Sequence, residues 1–317
     1  MRNITLKVRR FDPETQHAHH QEYTIQIEDH WTILDSLIHI REYVDETLGV
    51  RCSCRSAICG SCAMRVDGRA RLACKTRVLE VSPDGHTVTV ESLGNMPPIK
   101  DLATDMSAFW AKIQQIGPYI KAHQPPPERE YIAPQDAMED LAGTMNCIMC
   151  GACVSDCTSL AVDKNFIGPA ALAKAYRFVG DPRETEHDRD DRLKQLSKYG
   201  GVWDCTHCYE CVQVCPKDVA PLERILDIRR AAMAAGYRDN AGTRHNDSFA
   251  RSVKHTGWLD EFRIVPESLG LDDIPANLQM VPTALRALWH GKLPPILHTK
   301  RPGAEHVHRI FEELEKH

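Results

Sequence analysis

The sequence predicts an α+β protein with its sheet at the N-terminus and an all-α part behind it. Three observations point there. Residues 4–27 contain two runs that alternate apolar and polar side chains; the chain beyond about residue 105 is punctuated as helices; and the cysteines fall into three groups, one in the first part and two in the second. The expected boundaries are a sheet domain at 1–105, a linker at 106–135, a helical domain at 136–238 and a C-terminal extension at 239–317.

Ile4, Leu6 and Val8 alternate with Thr5, Lys7 and Arg9, the pattern of a half-buried strand. Tyr23, Ile25 and Ile27 repeat it, so the two strands form a hairpin. Its loop holds His17, His19 and His20, read as a solvated turn in preference to a metal site. Thr32 with Asp35 is a capping box, and Leu34, Leu37, Ile38, Arg41 and Val44 follow at helical spacing. Asp67-Gly68 joins Met64–Val66 to Leu72 as a hairpin. Val78–Val81 and Thr87–Val90 read as further strands, broken by Ser82-Pro83-Asp84-Gly85. Helical periodicity over Asp101–Tyr119 leads to the second domain, with Gln124-Pro125-Pro126-Pro127-Glu128 as a stiff spacer. Pro169 suits the first turn of a helix running to about Val179, which Asp181-Pro182 ends. Pro221 starts another, with Leu222, Ile225, Leu226, Ile228, Ala232 and Met233, closed at Gly236.

At 317 residues the chain has room for two cores. Its 42% hydrophobic and 26% charged content is that of a soluble globular protein. A net charge of −5 argues against a partner held by phosphate contacts, so no nucleic acid is expected. No run of eighteen apolar residues appears, and Met1-Arg2-Asn3-Ile4-Thr5 has no apolar signal core. Thirteen cysteines in such a chain read as metal ligands in a reducing cytosol, not as disulfides. A G-x-G-x-x-G loop and a hydrolytic constellation are both absent, so no catalytic residue is assigned.

The strongest signal is Cys205-Thr206-His207-Cys208-Tyr209-Glu210-Cys211-Val212-Gln213-Val214-Cys215-Pro216. In the pattern C-x2-C-x2-C-x3-C-P, three thiolates surround one cubane of iron and sulfide, and the fourth reaches to a neighbouring cluster. The complementary array is Cys147, Cys150, Cys153 and Cys157. By this rule Cys147, Cys150 and Cys153 join Cys215 on one 4Fe–4S cluster, and Cys205, Cys208 and Cys211 join Cys157 on the next. Cys54, Cys59 and Cys62 have the C-x4-C-x2-C spacing of plant-type 2Fe–2S ferredoxins, and Cys74 is carried back beside them by the Asp67-Gly68 hairpin. Small residues such as Gly60 let backbone N–H groups face the sulfurs. The sheet domain is therefore expected to be a ferredoxin-type β-grasp, ending near Asp105. The alternative to the clusters is zinc, which prefers paired C-x2-C units and has no need of a crossed fourth cysteine. Cys52, two residues before Cys54, reads as a bystander thiol, with an alternate ligand as the other reading.

A plant-type site, a linker and a helical double-cluster domain together resemble the iron–sulfur subunit of succinate dehydrogenase and fumarate reductase. The resemblance covers roughly residues 1–238. Besides the cysteines it rests on Phe166-Ile167-Gly168-Pro169-Ala170, Tyr176-Arg177-Phe178, Asp181-Pro182-Arg183 and Cys215-Pro216-Lys217. It implies an electron relay from an FAD-containing flavoprotein subunit through the 2Fe–2S and 4Fe–4S clusters to a third cluster. It also implies a membrane-anchor or membrane-associated partner with a quinone, and a peripheral place on the cytoplasmic side of the membrane.

Two departures from the family pattern stand out. Most members have a non-cysteine where Cys208 stands and carry a 3Fe–4S third cluster; here the fourth ligand favours a second 4Fe–4S centre, with 3Fe–4S as the alternative. Thr158-Ser159-Leu160 follows Cys157 in place of proline and an aromatic residue, and the histidine of this region, His207, does not directly follow Cys205. The usual quinone pocket does not carry over, and the pattern is closer to the non-classical branch, whose membrane-associated partners are cysteine-rich.

In the extension, Phe249, Val253, Trp258 and Phe262 form a candidate apolar face, and Thr283–His290 and Val307–Leu314 are amphipathic. They either clamp a membrane-side partner or pack on their own domain. His245, His255, His290, His298, His306 and His308 are read as surface histidines in preference to ligands. The rival functions are the iron–sulfur subunit of another flavoprotein complex, such as a thiol-linked fumarate reductase, and a zinc-stabilised interaction module.

Overall fold

A computed structural model describes residues 2–121, 127–296 and 299–316 of the chain. The expected spacer at 124–128 and His298 thus lie largely or wholly outside the described residues. Residues up to Ala231 form one compact unit and those from Ala232 a second.

The first unit begins with a five-stranded sheet. Its strands are β1 (Arg2–Asp12), β2 (His17–Ile27), β3 (Ala63–Val66), β4 (Arg69–Leu72) and β5 (Val88–Glu91), in the order β2-β1-β5-β3-β4. β1 and β5 are parallel, and the other neighbours are antiparallel. Ile4, Leu6, Val8, Tyr23, Ile25 and Ile27 all point into the core, as their alternation requires. Helix α1 (Ile33–Tyr43) supplies Ile33, Leu34, Leu37 and Ile40 to that core. Its capping box is complete: the Asp35 N–H donates to Thr32 Oγ1 at 3.2 Å, and the Thr32 N–H donates to Asp35 Oδ2 at 2.9 Å. The tight turn at Asp67 (φ 47°) and Gly68 (φ 77°) closes the β3–β4 hairpin.

Two expectations for this sheet change. Val78–Val81 is one helical turn, α2, not a strand. The chain pairs only as an isolated bridge between Thr32 and Arg77, and the Ser82 N–H then closes the turn on the Val78 carbonyl at 2.8 Å. Four apolar-rich residues carry too little periodicity to separate the two conformations. His17, His19 and His20 are on β2 itself and not in the loop, because β1 and β2 pair as far as Asp12 and His17.

After the sheet come a small ribbon, β6 (Pro98–Lys100) with β7 (Ala103–Thr104), and helix α3 (Ser107–Gln115). A buried arginine ties this segment to the sheet. Arg10 Nε donates to Asp101 Oδ1 at 3.0 Å, and its Nη1 donates to Asp45 Oδ2 and Tyr23 Oη, both at 2.6 Å. Asp101 Oδ2 in turn accepts the Gly49 N–H at 2.6 Å. The network holds both ends of the 45–49 stretch that leads into the first cysteine loop. Hydrogen bonds from Thr47 and Tyr23 hold the Asp45 carboxyl well below the usual carboxylate range.

The helical part contains α4 (Gln135–Met145), α5 (Ala152–Ser155), α6 (Thr158–Val162), α7 (Pro169–Val179), α8 (Glu186–Leu196), α9 (Glu210–Gln213) and α10 (Pro221–Ala234). Pro169 and Pro221 stand at the helix starts, as expected. Asp181, fully buried, stops the chain after α7 by taking Arg183 Nε at 2.8 Å, Arg183 Nη2 at 2.7 Å and the Arg177 guanidinium. The sheet grips this part directly. The Ala70 N–H donates to Asp156 Oδ2 at 2.8 Å and the Gly94 N–H to Ser155 Oγ at 2.9 Å. Asn95 Nδ2 donates to the carbonyls of Val154 (2.9 Å), Ser155 (3.2 Å) and Cys157 (3.0 Å).

The second unit contains α11 (Ala241–Thr256), α12 (Glu261–Leu269), α13 (Ile274–Trp289) and α14 (Ala304–Leu314). Asn240 caps α11, accepting the Thr243 N–H at 2.8 Å. Lys254 Nζ reaches the Glu315 carboxylate at 2.7 Å, and the Arg301 guanidinium lies 3.7 Å from the centre of the Trp258 ring. Phe249, Trp258 and Phe262 remain partly exposed, so the expected apolar face is only partly covered.

Candidate iron–sulfur centres

The first cysteine group sits on the loop between α1 and β3. Cys54 Sγ accepts the N–H groups of Ser56 (3.4 Å), Ile58 (3.3 Å) and Cys59 (3.3 Å), and Cys74 Sγ accepts that of Ala57 (3.3 Å). Four N–H donors thus converge on two sulfurs, the hydrogen bonding that supports sulfur ligands of a cluster. Left-handed Arg55 (φ 54°) and Ala57 (φ 55°) turn those amides inward. A hydrogen bond from Ser61, then the Cys54 N–H, brings the Cys59 thiol down to about 6, whereas burial pushes Cys62 up to about 12. Among the described residues Cys52 takes no part in these N–H···S contacts.

The second group lines one cavity. Cys147, Cys150, Cys153 and Cys215 face it together with Met149, Ala170, Ala173 and Val219. The structure thus brings Cys215 to the earlier array across 62 residues of chain from Cys153. Burial pushes Cys150 up to about 11 and Cys153 well above its ordinary value. The Val219 N–H points at Cys215 Sγ at 3.4 Å.

In the third group Cys157, Cys205 and Cys208 surround Cys211. Burial, with the charges of those three, pushes Cys211 up to about 12. Cys211 also bears on Cys153, so the second and third groups adjoin. Cys208 is exposed; partial burial opposes its thiolate, but hydrogen bonds with Thr158 and the Glu210 backbone outweigh this and lower its pKa.

Gly60 links the first and second groups. Its φ is +73°, and a Cβ there would stand 2.7 Å from Cys150 Cβ, so the two loops touch through a position that only glycine fills. The three groups therefore lie in series: the first against the second, the second against the third.

Iron–sulfur clusters fit these donors. Two sulfurs of the first group lie among aimed amides and those of the second line an apolar cavity, and thiols raised by burial lose that penalty when a metal replaces the proton. The surface histidines have other neighbours: His245 lies 3.0 Å from Ser268 Oγ, His308 lies 3.3 Å from Glu312, and the His290 ring packs on Trp289.

Sequence reasoning missed Arg229. Its Nε and Nη2 donate to the Val202 carbonyl at 3.0 and 2.9 Å, Nη2 also donates to the Cys205 carbonyl at 2.9 Å, and Nη1 donates to His207 Nε2. Burial, then the Arg229 charge, lowers the His207 pKa. One side chain thus holds the entry to the third cysteine loop. Arg229 and Asn95 carry no spacing signal; each acts through carbonyls brought near by packing.

A β-grasp sheet with a cysteine loop, joined to a helical unit with two crossed cysteine arrays, defines an iron–sulfur electron carrier. Two family models agree: a 2Fe-2S iron-sulfur cluster binding domain matches residues 5–111, and a 4Fe-4S dicluster domain matches residues 143–219. The fumarate reductase iron-sulfur subunit of Mycobacterium tuberculosis is 37% identical over 224 residues, covering 70% of this chain and 89% of that protein. The 8-methylmenaquinol:fumarate reductase iron-sulfur subunit of Wolinella succinogenes is 31% identical over 296 residues, 90% of each chain. That alignment reaches past residue 238, so the resemblance extends into the C-terminal region, farther than the motifs alone indicate. A chain of the Mycobacterium smegmatis Sdh1 complex in the apo form superposes with a TM-score of 0.68 at 26% identity, covering 75% of this chain and 98% of that one. The chain belongs to the family of iron–sulfur subunits of succinate dehydrogenase and fumarate reductase.

Proposed function

We propose that the chain carries electrons between an FAD-containing flavoprotein subunit and a quinone at a membrane-associated partner, on the cytoplasmic side, through three sites in series. Cys54, Cys59, Cys62 and Cys74 hold a 2Fe–2S cluster; Cys147, Cys150, Cys153 and Cys215 a 4Fe–4S cluster; Cys157, Cys205, Cys208 and Cys211 a second 4Fe–4S cluster. When bound, such clusters take up and release single electrons. The protein supplies the rest. Amides of residues 56–59 stabilise thiolate charge at the first site, Ala170 and Ala173 keep water from the second, and Arg229 orients the loop of the third. Dicarboxylate chemistry belongs to the flavoprotein, which leaves this chain without a catalytic residue.

One observation carries the cubane assignment of the third site. Cys208 occupies the same place in its loop as Cys150, between two left-handed residues, beside three other cysteines. Electron paramagnetic resonance of the purified complex tests it. The oxidised protein is expected to lack a 3Fe–4S signal, and succinate is expected to reduce the clusters. A stoichiometric 3Fe–4S signal in air-protected enzyme overturns the third-site assignment, and clusters that succinate leaves oxidised favour a different flavoprotein partner.

A further inference from the structure

The C-terminal unit presents an apolar stripe that its own fold leaves open. Taking about 100° of rotation per residue, Ile274, Leu278, Val281, Leu285, Leu288 and Trp289 fall on one face of α13, with Gln279, Thr283 and Arg286 opposite. All six are exposed, from 44% at Val281 to 87% at Trp289, and no residue of α13 is buried. A continuous stripe of this size marks an interaction surface.

Charge indicates what covers it. From Ile274 to Arg301 the sequence contains no Asp or Glu but holds Arg286, Lys292, Lys300 and Arg301, in a chain whose net charge is −5. A second copy would bring the same positive charge against itself, whereas an anionic surface complements it. The length also decides between modes. Sixteen residues span about 24 Å, short of a hydrocarbon core of about 30 Å, and among the described residues no helix is long and apolar enough to cross a membrane. Large aliphatic side chains on one face, a tryptophan at the end, Arg286 on the helix and Lys292 just after it suit a helix lying in the plane of the interface.

We propose that α13 is an interfacial helix that inserts its Ile274–Trp289 stripe into the surface of a bilayer containing anionic lipid. The subunit then holds the membrane directly, independently of any membrane-spanning partner and of the cluster assignments.

Vesicle flotation tests this with the full-length, cluster-loaded chain. Vesicles of equimolar phosphatidylglycerol and phosphatidylcholine are compared with phosphatidylcholine alone. Wild type is expected to float with the anionic vesicles, less so in high salt, with a blue shift of tryptophan emission that W289F diminishes. The double variant L278E/L285E changes only exposed side chains; it is expected to lose vesicle affinity about tenfold or more while its cluster spectra stay unchanged. R286Q/K292Q is expected to weaken binding to the anionic vesicles alone. The proposal is overturned if wild type stays unbound with both vesicle types or if L278E/L285E floats as wild type does. It is equally overturned if that variant instead releases a protein partner or changes oligomeric state with vesicle binding intact.

Discussion

The two cysteine loops of the helical part share a backbone and differ in surroundings. The residue before the second cysteine is left-handed in both (Met149 and His207, each φ 56°), as is the residue after it (Gly151, φ 82°; Tyr209, φ 66°), and a short helix follows. Cysteine spacing thus imposes one local conformation twice. The settings then diverge. Gly151 is packed so closely that a Cβ would lie 2.9 Å from Met96 Cε, and Gly60 presses on Cys150 from the first cysteine loop. Tyr209 and Cys208 are exposed, beside Thr158 and Thr206, whose hydroxyl oxygens stand 3.4 Å apart. One motif therefore makes an inner site, whose second cysteine is half-buried against the first cysteine loop, and an outer one, whose second cysteine is exposed.

The sharpest way to break this comparison is to remove one thiol from each loop. Cys153→Ser is expected to abolish the inner cluster and most folded protein, seen as a loss of iron and labile sulfide well beyond one iron per chain. Cys208→Ser is expected to leave the fold intact and convert the outer site to a trinuclear cluster, seen as a new 3Fe–4S signal in the oxidised protein. If both variants behave alike, the inner and outer distinction fails.

The next effect concerns the support behind the inner loop. α7 lines the inner cavity through Ala170 and Ala173 and ends at Val179, two residues before Asp181. Asp181→Asn leaves two arginines without their buried partner and is expected to cost about 3–5 kcal/mol, measured by denaturant unfolding. The wild-type carboxyl also sets an acid limit. Burial pushes it up, but Arg183 and Arg177 outweigh burial and hold it well below the ordinary value. Its contribution is therefore complete above the unfolded pKa of about 3.9 and is lost as pH falls below that. Asn is expected to flatten that part of the stability profile.

At the outer loop Arg229→Met strips donors from the carbonyls of Val202 and Cys205 and from His207. It is expected to lower occupancy of the third cluster while the signals of the other two stay unchanged in spectroscopy of the same sample. The smallest effects come from exchanging the left-handed residues. Tyr209→Gly removes side-chain strain of about 1 kcal/mol, offset by glycine's own entropy, so stability changes by less than about 1 kcal/mol. Gly151→Ala meets Met96 and is expected to destabilise more, as equilibrium unfolding would show.

Much of this was legible in the chain. Alternation at Ile4–Val8 and Tyr23–Ile27, the Thr32–Asp35 cap, the Asp67-Gly68 turn and the prolines at 169 and 221 are local signals, and each element formed where its signal stands. Val78–Val81 reads as a strand yet forms one helical turn, because four residues do not distinguish the two. His17, His19 and His20 read as loop residues yet stand on β2, because nothing in the sequence shows how far a hairpin keeps pairing. Arg10, Asn95 and Arg229 were silent, since each works by reaching residues distant in the chain.

The sequence by itself determined the grouping of the cysteines, the turns between them and the family, because thiol spacing and backbone handedness are set over a few covalent bonds. Only the tertiary structure decided that Cys150 is half-buried and its counterpart Cys208 exposed, and which arginine and asparagine brace the loops. Burial is a property of everything packed around a residue, and no short stretch of chain encodes its own surroundings.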